Sequence, residues 1–316
     1  MQSSDETDIL ATIGTRGSPL ALAQAHEVRD RLARAHQVAP ERIAIKTIRT
    51  SGDAIQDRPL FDVGGKGLFT KESEEALLAG TIDFAVHSSK DVPTFLPDAT
   101  WLPAFLPRED VRDVFISPRA ASLSDLPAGA TVGTASLRRQ AMVLKLRPDL
   151  KVNSLRGNVE TRLRKITAGE ADATLLALAG LNRLGLQDKA TRILETDEFL
   201  PAVGQGAIAI ESRRDDDRIN AFVKAIGDPE TEVALSAERS FLALLDGSCR
   251  TPIGGHCRVN GDRIDFRGLI ISPDGTEFYE TTREGARADA AALGADAAHE
   301  LRERAGEKIF TLFAGA

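Results

Sequence analysis

The chain contains little of several residue types that mark particular classes of protein. It has 2 Cys, 1 Trp and 1 Tyr among 316 residues, and aromatic residues make up 5% of it. Two cysteines are too few for a disulfide framework, and without a nearby pair of histidines they argue against a structural zinc site. No apolar run approaches the roughly 18 residues that a membrane helix needs. The scarcity of aromatic residues argues against a surface that stacks nucleic-acid bases.

The first residues also lack the marks of a targeting signal. The segment MQSSDETDIL has no positively charged beginning and no apolar core, and it is too acidic for a typical transit peptide. We therefore expect a cytoplasmic protein without a membrane partner.

Charge is distributed unevenly along the chain. The formal net charge is −7, yet residues 134–166 hold nine cations and two anions. An acidic chain is not expected to bind nucleic acid generally, but this cationic segment predicts a polyanionic ligand. Guanidinium groups favour carboxylate or phosphate because their planar fork donates two parallel hydrogen bonds. The alternative is a solvated basic helix face, which is the usual fate of charge runs.

Short apolar strands alternate with amphipathic helices over the first two thirds of the chain. This alternation predicts an α/β fold with parallel sheets covered by helices on both faces. The length predicts two or three domains. Ser18, Ser136 and Asn158 are predicted helix caps. The buried face of the first helix is predicted at Ala21, Ala25, Val28, Leu32 and Ala35.

Ligands of such sheets bind where the carboxyl ends of strands lead into helices. Polar or cationic groups occupy four loops of this kind, which contain Arg16, residues 88–91, residues 134–139 and residues 156–158. We expect these loops to line one cleft.

The last part of the chain has a different pattern. Residues 263–271 and 276–282 flank the turn Pro273-Asp274-Gly275, which predicts a hairpin, and an Ala-rich helix follows. This pattern predicts a small α+β domain. Proline-rich residues 93–107 and the glycine-containing residues 200–206 are predicted linkers.

Three motifs carry candidate chemistry, and each has an alternative without function. HSSKDVP, residues 87–93, places Asp91 beside Lys90 at the end of a strand, where the carboxylate could manage a proton or a developing cation; otherwise it is a polar turn. GSCRTP, residues 247–252, places Cys249 beside Arg250, which favours a thiolate; otherwise the cysteine is inert. Residues 63–67, VGGKG, lack the spacing of a phosphate loop, so we interpret them as a flexible loop that brings Lys66 near a ligand.

Together these segments closely resemble the porphobilinogen deaminase (hydroxymethylbilane synthase) family. The resemblance spans nearly the whole chain in the family's order. The matching segments are TRGSPLALAQ (15–24), VGGKGLF (63–69), AVHSSKDVP (85–93), VGTASLRRQ (132–140), SLRGNVETRL (154–163), AGLNRLG (179–185), LPAVGQGA (200–207) and GSCRTPIG (247–254).

The resemblance implies a transferase that joins four porphobilinogen molecules and releases four ammonias. It implies a dipyrromethane cofactor linked to Cys249 by a thioether, and Asp91 as the catalytic aspartate. Further cofactor-binding positions fall on Asp53, Lys90, Ser136, Arg138 and Arg139. Substrate-binding positions fall on Arg16, Ser18, Lys66, Thr134, Arg156, Arg162, Arg183 and Gln205. No metal is implied, and a monomer is expected.

The implied fold has three domains. Two α/β domains like those of periplasmic binding proteins are joined by two crossings, with the site between them, and a small α+β domain holds the cofactor cysteine. We place the first domain at residues 8–106 and 207–224, the second at 107–206 and the third at 225–316.

Two other functions compete with this prediction. A non-catalytic solute-binding protein would share the two-lobed core, but the absence of an export signal and the Cys249 segment argue against it. An RNA-binding module could use the arginine-rich segment, but it lacks interleaved aromatic residues.

Overall fold

A computed structural model describes residues 9–54, 69–245 and 252–314, with side chains throughout except at residues 53, 54, 307, 308 and 311–314. The strands, in chain order, are β1 Ala11–Arg16, β2 Ile43–Ile48, β3 Phe84–Ser88, β4 Thr100–Phe105, β5 Asp113–Ile116, β6 Thr131–Gly133, β7 Lys151–Asn153, β8 Ala173–Ala177, β9 Arg192–Leu194, β10 Ile208–Arg213, β11 Ile253–Asn260, β12 Arg263–Ile271 and β13 Phe278–Ala286.

The helices are α1 Pro19–His36, α2 Ser51–Ala54, α3 Lys71–Leu78, α4 Leu137–Leu146, α5 Val159–Thr167, α6 Leu178–Arg183, α7 Asp217–Lys224, α8 Pro229–Leu244 and α9 Ala290–Ala314, which is kinked at Gly306. The three predicted caps are confirmed. Ser18 accepts from the Ala21 amide, Ser136 from Arg139 and Asn158 from Thr161, and each satisfies an amide that has no partner inside its helix. No helix in the described ranges is long and apolar enough to cross a membrane.

The first sheet has the strand order β2-β1-β3-β10-β4. Its β1 pairs in parallel with β2 and β3, whereas β10 is antiparallel to both β3 and β4. Apolar side chains of α1 and α7 cover it, including Val28, Leu32, Ile219 and Val223. The predicted buried face of α1 is correct except at Ala35, which is exposed, while Ala33 is buried.

The second sheet has the order β7-β6-β8-β5-β9. The strands β6, β7 and β8 run parallel, and β5 is antiparallel to β8 and β9. The prediction of parallel sheets is therefore wrong in part, because both sheets are mixed. The α/β class is confirmed, but β5 and β10 enter their sheets from connections that cross between the two sheets, and these reverse the strand direction.

The third sheet is the meander β11-β12-β13. The predicted hairpin is confirmed, with Pro273–Gly275 in its turn. The helices α8 and α9 pack on this sheet through Phe241, Ala297 and Leu301. The C-terminal part is thus the small α+β unit that the pattern predicted.

Two connections link the first two sheets. One runs from β4 to β5 and the other from β9 to β10; we call them the first and second crossings. The predicted linker at residues 93–107 is wrong in part, because it contains β4, a strand of the first sheet. The predicted linker at residues 200–206 lies in the second crossing. The division into three domains remains a proposal, which the return of β10 to the first sheet supports.

A buried carboxylate holds both crossings against the third sheet. Glu238 of α8 is fully buried and accepts from Arg108 Nη1 and Nη2 at 2.6 and 2.9 Å. It also accepts from the backbone amide of Gly204 at 2.8 Å and from that of Cys257 at 2.9 Å. Arg108 lies in the first crossing, Gly204 in the second and Cys257 in β11. One side chain therefore joins three parts of the chain.

We expect Glu238→Gln to destabilise the fold by about 3–5 kcal/mol, because it leaves the Arg108 charge buried without a counter-ion. An amide also has one acceptor oxygen where the carboxylate has two. Urea unfolding followed by circular dichroism would measure the change. The matched control is Glu195→Gln, which removes a carboxylate 68% exposed in its pair with Arg112 and should cost less than about 1 kcal/mol. Equal effects of the two variants would contradict the role given to Glu238.

Candidate active site

Asp91 stands at the end of a short turn that follows β3. Residues Ser89–Asp91 form a single 3₁₀ turn, which we call the Asp91 turn. The Ser89 amide donates to the carbonyl of Ala207 at 2.9 Å. Just before the turn, buried His87 hydrogen-bonds to the buried carboxylate of Glu211 at 3.1 Å. The backbone of β3 and the second crossing together fix where Asp91 lies.

Arg16 approaches Asp91 from the end of β1. Arg16 Nη1 lies 3.8 Å from Asp91 Oδ2, and the guanidinium group stacks on the ring of Phe69, 4.1 Å from its centroid. A cavity of about 60 Å³ opens beside this pair, and Ser18 lines it from the N-terminus of α1. The other lining residues are Leu20, Ala21, Gln24, Val86, His87 and Ser88.

Lys90 is the cation of the Asp91 turn. Its Nζ donates to Gln205 Oε1 at 3.3 Å, and Gln205 Nε2 donates to the carbonyl of Val111 at 2.7 Å. Burial first, and then the positive charge of Arg139, lower the pKa of Lys90 to about 8, while Asp91 and Asp113 act in the opposite direction. A further anion bound nearby would add to the attraction of these two carboxylates and favour the charged ammonium group.

Arg138 and Arg139 begin α4 and share one buried carboxylate. Asp113, at the start of β5, accepts from Arg138 Nη2 at 2.7 Å and from Arg139 Nε and Nη2 at 3.0 and 2.7 Å. Burial alone would raise the pKa of Asp113, but the two guanidinium groups outweigh it and hold the pKa at about 2. Asp113 is therefore ionised at neutral pH and orients both arginines.

One further donor of each arginine binds a backbone carbonyl oxygen. Arg138 Nη1 donates to the carbonyl of Leu200 at 2.7 Å and Arg139 Nη1 to that of Leu175 at 3.0 Å. Buried Arg138 Nε, by contrast, finds no hydrogen-bond partner among the described residues. A buried donor without a partner is costly, and a carboxylate ligand would satisfy it.

Arg162 reaches the same region from the first turn of α5. Its Nε donates to the carbonyl of Gly157 at 2.9 Å. Burial, and then repulsion from Arg139 and Arg156, lower its pKa to about 10, while Asp91 acts in the opposite direction. The structure thus brings Arg16, Lys90, Arg139, Arg156 and Arg162 into electrostatic contact with one another or with Asp91.

Three predicted site residues have mainly structural contacts in the described part of the chain. Thr134 is buried, and its hydroxyl accepts from the Ser136 amide at 3.1 Å, while Ser136 caps α4. Arg183 is 9% exposed, pairs with Glu27 of α1 at 3.3 Å, and donates to the carbonyl of Gly206 at 3.0 Å. Arg183 therefore ties α6 to α1 and to the second crossing.

Three other predicted residues cannot be placed. Cys249 and Lys66 lie outside the described residues. The backbone of Asp53 belongs to α2, but its side chain is also outside the description.

Several residues that shape the site were not predicted from the sequence. Asp113 could have been noticed as an acidic residue that opens the apolar strand DVFI. Buried Gln24, which exchanges hydrogen bonds with Ser88 at 2.9 and 3.0 Å, shares the apolar face of α1 with Ala21 and Val28. A polar residue on an otherwise apolar helix face can be recognised from the sequence as a candidate site residue. Phe69 gives no comparable signal, because its contact with Arg16 depends on tertiary packing.

The arrangement is suited to holding a molecule with several carboxylates. Cations from both sheets surround Asp91, and two of them have a pKa lowered by burial and mutual repulsion. Anions relieve that repulsion and form charge-assisted hydrogen bonds. Within the described residues, no group of three or more His, Cys, Asp and Glu side chains is arranged to hold a metal ion.

Known proteins resemble the chain in sequence and, more weakly, in structure. It is 98% identical to the porphobilinogen deaminase of Nitrobacter winogradskyi and 93% identical to that of Nitrobacter hamburgensis, in each case over all of both chains. Among solved structures, a putative methionine-binding lipoprotein from Bacillus subtilis is 13% identical, with a TM-score of 0.43 over 70% of this chain and 91% of that one. A periplasmic substrate-binding protein from Coxiella burnetii is 16% identical, with the same TM-score over 71% and 94%. Similarity this low carries no argument about the chain.

Two family models match the chain. The porphobilinogen deaminase dipyromethane cofactor binding domain matches residues 11–221, and the porphobilinogen deaminase C-terminal domain matches residues 233–303. The first match covers both sheets around Asp91, and the second covers the third sheet. The chain belongs to the porphobilinogen deaminase family.

Proposed function

We propose that the chain joins four porphobilinogen molecules head to tail, with release of four ammonias, to give hydroxymethylbilane. The reaction is that of its family, a transferase of tetrapyrrole biosynthesis. The observation that carries the proposal is the convergence of Arg16, Lys90 and Arg162 on the carboxylate of Asp91.

The cations match the chemistry of the substrate. Each pyrrole ring of porphobilinogen carries one acetate and one propionate, so a growing chain is a polycarboxylate. We assign Arg16, Arg156 and Arg162 to these groups, with Ser18, Thr134, Arg183, Gln205 and Lys66 as further contacts. Bidentate guanidinium pairs fix the rings in position as well as binding them.

Asp91 is assigned the chemical role. When ammonia leaves the aminomethyl carbon of the substrate, positive charge develops on the pyrrole. A carboxylate nearby stabilises that charge, accepts hydrogen bonds from pyrrole N–H groups and assists proton transfer. Arg16 faces this carboxylate from the end of β1, with its Nη1 3.8 Å from Asp91 Oδ2.

The residues around Asp91 also fit the family's dipyrromethane cofactor, which is built from two substrate units. Its acetate and propionate groups need cationic donors, and Arg138 Nε is a buried donor without a partner among the described residues. We assign Lys90, Ser136, Arg138, Arg139 and Asp53 to holding it, and Cys249 to anchoring it through a thioether. When bound, the cofactor supplies the free pyrrole α-carbon to which the first substrate is joined.

Two finer points are proposed with the function. We propose that the protein acts in the cytoplasm and as a monomer, as the family resemblance implies. Size-exclusion chromatography with light scattering tests the second point, since a monomer has a mass near 33.9 kDa.

Asp91→Glu and Asp91→Asn test the catalytic role. The longer carboxylate is displaced and the amide is neutral, so both should bind substrate but lower kcat by about 10²-fold or more. Porphobilinogen consumption is the measurement. The control is Asp98→Asn, at an exposed position, which should keep the unaltered rate. Near-normal turnover of both Asp91 variants would remove Asp91 from this role.

Cys249→Ser tests the attachment site. Intact mass spectrometry of the purified unaltered protein should reveal a two-ring adduct, and this adduct should disappear in Cys249→Ser. Cys257→Ala should retain it, because Cys257 is buried and its pKa is raised to about 12, mainly by desolvation, so its thiol is not a nucleophile. An adduct that survives in Cys249→Ser would overturn the assignment.

The lowered pKa of Lys90 predicts a pH dependence. The ammonium group is charged below its pKa of about 8 and loses its charge as the pH rises through that value, so the attraction for carboxylates weakens. Because Lys90 is assigned to the carboxylates of the cofactor, whose α-carbon must be held beside Asp91, kcat should fall between about pH 7 and about pH 9. Lys90→Arg keeps a cation throughout and should have a flatter profile. Parallel profiles for the two proteins would contradict the role of Lys90.

A further inference from the structure

The second crossing forms the support of the Asp91 turn. The Ser89 amide donates to the carbonyl of Ala207 at 2.9 Å, and Lys90 Nζ donates to Gln205 Oε1 at 3.3 Å. Both contacts hold the turn on the segment of residues 204–207. The position of Lys90 and Asp91 therefore depends on where this segment lies.

Gly204 makes the closest approach in this contact. A Cβ atom added to it would lie 2.9 Å from Ser89 Oγ and 3.1 Å from both Lys90 N and Ser89 C. Ordinary contacts of Cβ atoms lie between 3.4 and 4 Å. Two of the three contacts are with backbone, which cannot move aside as a flexible side chain does. Only a residue without Cβ allows the turn to sit this close.

The crossing itself is held from the other side. The Gly204 amide donates to Glu238 Oε2 at 2.8 Å, and the Gln205 carbonyl accepts from Arg108 Nε at 3.0 Å. Glu238 is fully buried and bound to Arg108 as well. A side chain at position 204 would thus displace the Asp91 turn more readily than the anchored crossing.

We propose that Gly204 is a positioning residue that sets the place of Lys90 and Asp91 by allowing the turn to rest directly on the second crossing. The proposal rests on the function proposed above, because it takes Asp91 as the catalytic carboxylate. Gly204 touches no substrate in this proposal and acts through the turn.

The test compares Gly204→Ala with Gly129→Ala. Both glycines have a positive φ, +74° and +76°, but a Cβ at Gly129 meets nothing within 4 Å. Backbone strain is therefore matched, and the contact with the turn is the difference. Gly204→Ala should lower kcat about ten-fold or more, since small displacements of catalytic groups are costly, with little change in KM. Gly129→Ala should keep the kcat of the unaltered protein.

The variant Ser89→Ala tests the steric cause. It also provides a second background for Gly204→Ala if Gly204→Ala alone does not fold. It removes Ser89 Oγ, the atom nearest to the added Cβ, which finds no hydrogen-bond partner among the described residues. Adding Gly204→Ala to Ser89→Ala should then lower kcat by a smaller factor than in the unaltered protein. A larger factor in the Ser89→Ala background would contradict the steric argument, because only the nearest contact is removed there and the two backbone contacts at 3.1 Å remain.

The remaining outcomes separate this inference from the proposed function. If the unaltered protein consumes porphobilinogen and Gly204→Ala has the same kcat as Gly129→Ala, the inference is wrong and the function stands. If the unaltered protein, purified with its pyrrole adduct, does not consume porphobilinogen, the proposed function is wrong and the inference falls with it.

Discussion

The buried carboxylate of Glu238 is the interaction on which the arrangement of the molecule depends. It accepts from Arg108 in the first crossing, Gly204 in the second and Cys257 in the third sheet. Burying an ion pair costs desolvation free energy that the mutual attraction offsets only when all the donors are well placed. The ion pair therefore favours one arrangement of the two crossings, because any other packing of them would leave a charge unpaired. The second crossing also supports the Asp91 turn, so the same carboxylate fixes the base of the site.

Asp113 plays a comparable part in the second sheet. It orients Arg138 and Arg139 through Nε and Nη donors, so these arginines are organised before any ligand arrives. The cations near Asp91 stand close to one another, and burial lowers the pKa of Lys90 and of Arg162. Arg138 and Arg139 are thus already oriented, and they stand beside cations that repel one another. Such a site binds carboxylates well, because binding requires little rearrangement and relieves the repulsion.

Local features of the fold could be predicted from sequence, and long-range pairing could not. Ser18, Ser136 and Asn158 cap helices because each needs only an amide within the next turn, and Pro273-Asp274-Gly275 turns a hairpin by its own backbone preferences. The antiparallel entry of β5 and β10 depends on the path of the crossings, which no short pattern encodes. The buried counter-ions Asp113 and Glu238 were missed for the same reason: their partners lie 25 and 130 residues away in sequence.

The division of charges between the two sheets has a consequence for a site that must hold a growing chain. Asp91 is fixed to the first sheet and to the second crossing, whereas Arg139 and Arg162 stand on helices of the second sheet. Rotation about the crossings would change the spacing between Asp91 and these arginines without disturbing the Asp91 turn. Coulomb energies vary inversely with distance, so such a motion would alter the binding of carboxylates by the arginines while Asp91 keeps its own support. With Asp91 in the catalytic role proposed for it, repeated additions at this one aspartate are compatible with a lengthening product.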